Sequence, residues 1–246
     1  MTLDDILASL FPNGSRIETT GAMIAGQAIL PDGGPIQVLG ITQGQPLGVD
    51  EAIVLAGRVI EIVKSGDRSP ILVLVDSSSQ RMSKRDELLG LSEYLSHLAK
   101  ALLLAEAEGH HTVSLLYGGS AAGAFIATAL ATGTLVALPG AHPAVMDLPS
   151  MARVTKLSID VLKAKAEATP VFAPGLDNMV LTGGVHAVWD EAAPLAPQLA
   201  AVLRRPQGQD DRGRLGAERG GRRKAVEIAD RVVALAAASH QDAQHG

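Results

Sequence analysis

Two short segments hold residue types that could do chemistry. The first is His111-Thr-Val-Ser-Leu-Leu-Tyr117-Gly118-Gly119-Ser120-Ala121-Ala122-Gly123-Ala124, an apolar run that enters paired glycines and then a stretch of small residues. Glycine permits positive φ and close approach of a ligand, so backbone N–H groups can point outward. At a helix N-terminus such groups, helped by the helix dipole, favour negative charge. That is the hardware of an oxyanion hole. A phosphate-binding loop would need Lys followed by Ser or Thr, and neither stands in position. A nucleophile elbow would need glycine two residues after the serine, but Ser120 is followed by Ala121-Ala122, with Gly123 one step late. His142 and His186 lie downstream without forming a persuasive set with an aspartate. The competing reading is that Gly118, Gly119 and Gly123 only let a helix and a strand pack closely.

The second segment is Asp76-Ser77-Ser78-Ser79-Gln80-Arg81, which follows the apolar run Pro70-Ile-Leu-Val-Leu-Val75. That run is too short for a helix and has the character of a strand buried on both faces. In parallel sheets, ligands sit beyond the carboxyl ends of the strands, so this tip and the Gly118-Gly119 tip are expected to face one cavity. Ser77, Ser78, Ser79 and Gln80 would line its facing wall. The plainer alternative is that Asp76 caps a turn and the serines are loop.

Other candidates have less to offer. His110 and His111 read as a solvated corner, and their spacing supports no metal site. His142-Pro143 reads as structural. Thr182-Gly183-Gly184-Val185-His186 reads as a turn into a short strand at 187–190. Arg153 and Lys156, after Asp147-Leu148-Pro149-Ser150, are either exposed helix cations or a reach for an anionic prosthetic arm.

Several elements must position these residues. Residues 1–20 read as a short helix and a loop broken by Pro12-Asn13-Gly14. Strands are expected at 22–30 and 36–42 around the turn Pro31-Asp32-Gly33-Gly34-Pro35, with a second loop at 44–48. A helix from Val49 to about Lys64 carries Ile53, Ala56, Val59, Ile60 and Val63 at helical spacing. A long helix is expected over 86–107, with Leu88, Leu91, Tyr94, Leu95, Leu98 and Leu102 on one stripe. Then come a buried strand at 112–116, a small-residue helix at 121–131 and short strands at 134–138 and 143–146. Alternating strands and helices with tight loops predict an α/β fold with a parallel sheet and crossover helices. From Arg204 to Lys224 the chain holds eight basic residues, five glycines and three acidic ones. That stretch reads as a flexible surface loop before a last helix at 222–238.

Bulk composition narrows the class. The 246 residues suffice for a sizeable core, here expected as one domain over 1–246. Only 2% are aromatic, so stacking on nucleic-acid bases is disfavoured, and a net charge of -5 gives no field that draws nucleic acid or anionic lipid. The absence of cysteine removes disulfides, thiolate metal sites and a cysteine nucleophile. The acidic start lacks the basic region of a secretory signal, and no apolar run reaches the roughly 18–20 residues needed to span a bilayer. A cytoplasmic protein is expected.

The order of these motifs resembles a known family. Leu74-Val75-Asp76, then Arg85-Asp86-Glu87-Leu88 with Gly90-Leu91, then Tyr117 to Ala124, is similar to the C-terminal half of biotin-dependent carboxyltransferases. Ala137-Leu138-Pro139-Gly140-Ala141-His142-Pro143-Ala144-Val145-Met146 looks like the strands that follow. The chain most resembles the gamma subunits of biotin-independent malonate decarboxylases. The resemblance implies a crotonase-like spiral of ββα units, a beta-subunit partner and an active site between the two. It implies malonate carried as a thioester on an acyl-carrier protein through a phosphopantetheine-type arm, with no cofactor or metal bound by this chain itself. Under it, Gly118 and Gly119 N–H groups would stabilise an oxyanion or carboxylate and Ser120 would be a further donor. The residues offer no clear general acid or base, which leaves water or the partner as proton source. Two alternatives stay open. One is a stand-alone crotonase-type hydratase or hydrolase of CoA esters, for which Asp86 and Glu87 are the nearest bases. The other is a non-catalytic scaffold subunit.

Overall fold

The computed structural model describes residues 1–168, 174–208 and 210–244. The chain opens on α1 (Leu3–Leu10), whose start is closed by a capping box between Thr2 and Asp5. An antiparallel meander follows: β1 (Ser15–Thr20), β2 (Met23–Ile29) and β3 (Pro35–Leu47). Then come α2 (Val49–Ser65), β4 (Ile71–Gln80), α3 (Lys84–Leu89), α4 (Leu91–Ala107), β5 (Thr112–Leu116), β6 (Gly119–Ala121) and α5 (Ala122–Ala127). The remainder is β7 (Thr134–Ala137), β8 (His142–Ala144), α6 (Leu148–Thr155), α7 (Ile159–Ala168), α8 (Leu176–Leu181), β9 (Ala187–Val188), α9 (Leu195–Leu203), α10 (Arg212–Glu218) and α11 (Arg223–Gln244).

Among the described residues one sheet runs in the order β1-β2-β3-β4-β5-β7-β9, parallel from β3 onward, and β6 and β8 form a second, parallel pair. The units β5-β6-α5 and β7-β8-α6 repeat one pattern, a strand in the main sheet, a short strand in the small sheet, then a helix. The expected α/β fold with doubled strands and crossover helices is therefore present.

β4 explains why the sheet is central. Ile71, Val73 and Val75 enter a core that includes Leu55, Leu95, Leu102 and Phe125 from α2, α4 and α5. Leu72 and Leu74 enter the core on the opposite face, with Ile6 and Leu10 of α1 and Leu199 of α9. Strand periodicity of two sends alternate residues to opposite faces, so a continuous apolar run is what a doubly covered strand needs.

The structure departs from the sequence expectations in six places. Residues 15–20, expected as loop, form edge strand β1; nearly all are exposed, so no apolar face betrays them. β3 continues through 44–47, where a register shift lets Gln45 and Leu47 pair with Ser77 and Gln80. For the same reason Ser77–Gln80 is strand and not loop. The helix expected over 86–107 is two helices, because Gly90 at φ 83 turns left-handed and ends α3. The helix expected over 121–131 is shorter, because Ala121 belongs to β6 and the helix stops at its C-cap Thr128. In the stretch 204–224, of which residue 209 lies outside the described residues, α10 replaces much of the expected loop. Its arginines are tied down: Arg205 to Asp211, Arg212 to Asp210 and the Leu130 carbonyl, and Arg219 to the carbonyls of Val180, Val185 and His186.

Among the described residues no helix is long and apolar enough to cross a membrane. Nor, among the described residues, does any group of three or more His, Asp or Glu stand where it could hold a metal ion.

Candidate functional site

The site is built where the distal half of β4 meets β6 and the start of α5. The two tips expected to face each other across a cavity are instead laced together side by side. The Asp76 carboxylate accepts the Gly44 N–H at 3.1 Å through Oδ2 and the Gly119 N–H at 3.1 Å through Oδ1. The hydroxyls of Ser77 and Ser120 share a hydrogen bond of 3.0 Å, and both residues are buried. Gln80 Oε1 accepts the Gly123 N–H at 2.8 Å. β4, by running on to Gln80, brings carboxylate and amide oxygens alongside the N–H groups of Gly44, Gly119 and Gly123, which take them as partners. Ser77 and Ser120 are thus struts between strands, not open donors, while Ser78 is exposed and the Ser79 hydroxyl donates to the Gln80 carbonyl at 3.0 Å.

The paired glycines are there for room. Neither Gly118 nor Gly119 has positive φ. A Cβ on Gly118 would stand 2.1 Å from Asp76 Oδ1, and one on Gly119 would stand 2.7 Å from His142 Nε2 and 2.9 Å from the Ser77 carbonyl. The left-handed residue of this turn is Ala122, at φ 50. A non-glycine residue in that region is mildly strained, a condition that clusters at functional turns. Gly118, Ala121, Ala122 and Gly123 are half-exposed, and His142 is exposed, so this ridge presents backbone and one imidazole to the outside.

Sequence reasoning missed two neighbours. His142 comes beside Gly119 through the β6–β8 pairing, which sets the two residues opposite each other. Tyr117 directs its hydroxyl inward, where the oxygen is buried and without a hydrogen-bond partner. Burial, reinforced by the Asp76 charge, pushes this phenol well above its ordinary range. The glycine pair was the available signal for a close neighbour, but not for which one.

Other expected candidates resolve plainly. His110 and His111 are buried and not a solvated corner. His110 Nδ1 donates to the Ser69 carbonyl at 2.8 Å, and burial pushes His111 toward its neutral form. Asp86 is buried, accepts the Val49 N–H at 2.8 Å and takes the Ser83 hydroxyl, so it caps α2 and steadies α3. Its hydrogen bonds, that from Ser83 foremost, hold its carboxyl below the usual range. Asp86 therefore cannot serve as the base that a hydratase needs, and Glu87 points to solvent. Arg153 and Lys156 are exposed.

These elements match known proteins over most of the chain. A malonyl-S-ACP:biotin-protein carboxyltransferase, MADD of Malonomonas rubra, is 29% identical over 196 residues, covering 72% of this chain and 67% of that protein. A Pseudomonas malonate decarboxylase hetero-tetramer, solved with coenzyme A, contains a chain 26% identical at a TM-score of 0.78, covering 96% of this chain and 98% of that one. A Pseudomonas MdcD–MdcE hetero-dimer gives 26% identity and a TM-score of 0.73, covering 93% and 96%. The crotonase-like carboxyltransferase fold is common to them. The profile of the malonate decarboxylase gamma subunit, MdcE, matches residues 42–236, and the chain belongs to that family.

Proposed function

We propose that this chain forms one wall of a carboxy-lyase active site completed by a beta-type subunit, where a malonyl thioester loses CO2 and becomes an acetyl thioester. The observation that carries the reading is the family match over 42–236, which spans every element of the β4–β6–β8 corner. The partner is supported by the hetero-dimeric Pseudomonas relative. The acyl-carrier protein is supported by the name of the Malonomonas relative, and the thioester by the coenzyme A complex. In this reading the chain binds no cofactor of its own; the carrier's phosphopantetheine-type arm brings the substrate, and the assembly works in the cytoplasm.

The reaction states what the wall must do. Breaking the bond to the carboxylate leaves an electron pair that spreads onto the thioester oxygen as an enolate. Donors aimed at that charge, and a carboxylate held out of the thioester plane, lower the barrier. Gly118 and Gly119 N–H are the donors we assign, with Ser120 fixing the strand that carries them. The Gly119 N–H already rests on a carboxylate oxygen, so a substrate oxygen must share it with Asp76 or take it over. Ser78, Ser79 and Gln80 extend the same wall along β4.

A second reading, transfer of the carboxyl group to a biotin-bearing protein, is favoured by the name of the Malonomonas relative. One assay separates the readings. The chain, with and without its beta partner, is mixed with a malonyl-carrier protein, and CO2 and acetyl-carrier are measured with and without a biotinylated acceptor. CO2 release that needs both subunits and no biotin establishes the decarboxylase. Turnover only with the biotinylated acceptor establishes the transferase, and silence in an assembled complex returns the chain to a scaffold.

A further inference from the structure

We propose that His142 delivers the proton that converts the carbanion left by CO2 into the acetyl thioester. The inference rests on the decarboxylase reading above and deepens it, because neither the sequence nor the family match assigns a proton source to this corner.

The argument begins with register. In the β6–β8 pair, Gly119 stands opposite His142. Neighbouring residues of a parallel pair project to the same side, so the imidazole lies over the face of Gly119 that has no side chain. Its Nε2 is 2.7 Å from where a Cβ on Gly119 would be. Its Nδ1 lies 3.2 Å from the Gly140 carbonyl, which can only accept, so Nδ1 carries a proton in either charge state. With Nδ1 committed to Gly140, the nitrogen left to pass a proton is Nε2, the one that lies over the side-chain face of Gly119. His142 is exposed, so water can reload it and a partner subunit can close over it.

The other ionisable groups of the corner do not compete. Asp76 is occupied by the Gly44 and Gly119 N–H groups. The Tyr117 hydroxyl is buried, and burial strengthens its hold on its proton. Among the described residues of the corner, the imidazole is the group that combines access and orientation with a side chain able to pass a proton.

The step balances simply. The C–C bond to the carboxylate breaks and CO2 leaves, its electron pair entering the enolate. The Nε2–H bond then breaks and its proton joins the α-carbon, as the enolate collapses to the acetyl thioester. The imidazolium becomes neutral imidazole, keeping Nδ1–H on Gly140, and water returns a proton to Nε2.

The test uses the assembled gamma–beta complex and a malonyl-carrier protein. His142→Ala should lower turnover by about 100-fold or more, the usual worth of a positioned acid, with KM for the carrier little changed. Free imidazole should restore turnover to His142→Ala in a saturable way, because the deletion opens a space above Gly119. His142→Gln, which keeps a donor for the Gly140 carbonyl but cannot cycle a proton, should stay slow. Full activity in His142→Ala, rescue by the Gln side chain, or a loss that imidazole leaves untouched in an assembled complex would each overturn the proposal. Gly119→Val keeps the two readings apart. If it leaves turnover unchanged, the placement of the site fails; if it abolishes turnover while His142→Ala is fully active, only the proton assignment fails.

Discussion

Two corners of this protein are rich in glycine, and they use it differently. At Gly118, Gly119 and Gly123 an added Cβ would meet mainly side chains: Asp76 Oδ1, His142 Nε2, Leu95 Cδ1 and Gln80 Oε1. At Gly183, Gly216 and Gly221 it would meet backbone, at 2.1 Å from the Arg212 carbonyl oxygen, 2.4 Å from that of Thr182 and 2.2 Å from that of Leu181. In the second corner α8, α10 and the start of α11 cross with no space between main chains, and Arg219 ties the crossing together through three carbonyls. Glycine there is architecture. In the first corner glycine makes room for side chains, those of Asp76, His142 and Gln80 among them. Counting glycines would treat the two alike; asking what a methyl group would strike separates them.

The largest expected effect follows from that contrast. Gly119→Val should cost on the order of 3 kcal/mol in the barrier, a hundredfold or more in CO2 release, with the gamma–beta complex still assembled. Steady-state kinetics together with gel filtration checks both halves. Next is Gly221→Ala, whose methyl would run into the Leu181 carbonyl and cannot be relieved by a side-chain turn. It should destabilise the fold by roughly 3 kcal/mol, the upper end of ordinary overpacking, while leaving turnover per folded molecule unchanged. Denaturant unfolding of the two variants would break the comparison if Gly221→Ala proved neutral in stability or selectively inactive.

A third prediction probes the link between α2 and α3. Asp86→Ala strips the Val49 N–H and the Ser83 hydroxyl of a shared acceptor and should cost about 2 kcal/mol, as expected for bonds to a charged group. Because the folded state holds the Asp86 carboxyl below its ordinary value, its contribution is complete above the unfolded-state titration range. It is lost as pH falls through the lower, folded-state range. Asp86→Asn should therefore flatten the acid limb of the stability profile, measured by urea unfolding between neutral and acidic pH.

How much of this was legible in the sequence depended on distance along the chain. The run 71–75 announced itself because it is apolar throughout, as a doubly buried strand is. The strand 112–116 was legible from Val113, Leu115 and Leu116, with the Thr112 and Ser114 hydroxyls bonded to Glu106 and the Ala129 carbonyl. The glycine-serine turn was visible because local chemistry is written locally. The break at Gly90 was hidden by the stripe Leu88, Leu91, Leu95 running across it, although Ser83 before α3 and Gly90 after it are ordinary start and stop signs. What the sequence could not show were contacts made across the fold. Asp76 reaches Gly119 across 43 positions, and His142 reaches the same glycine only through the register of two three-residue strands. A serine run reads as loop until its partner strand is known, and the strand here is set by Gln45 and Leu47 pairing with Ser77 and Gln80.

The smallest effect tests the lacing itself. The Ser77 and Ser120 hydroxyls, 3.0 Å apart in a buried setting, join β4 to β6. Either single change to Ala leaves one buried hydroxyl without a partner and should cost about 1 kcal/mol. Replacing both removes the orphan along with the bond, so the double variant should be less destabilised than the two singles added together, and a thermodynamic cycle by urea unfolding gives the coupling. If the hydroxyls served a substrate instead, the stability cycle would be additive and the Ser120→Ala loss would appear in KM. Struts and ligands make opposite predictions here, and the bond between the two hydroxyls favours the strut.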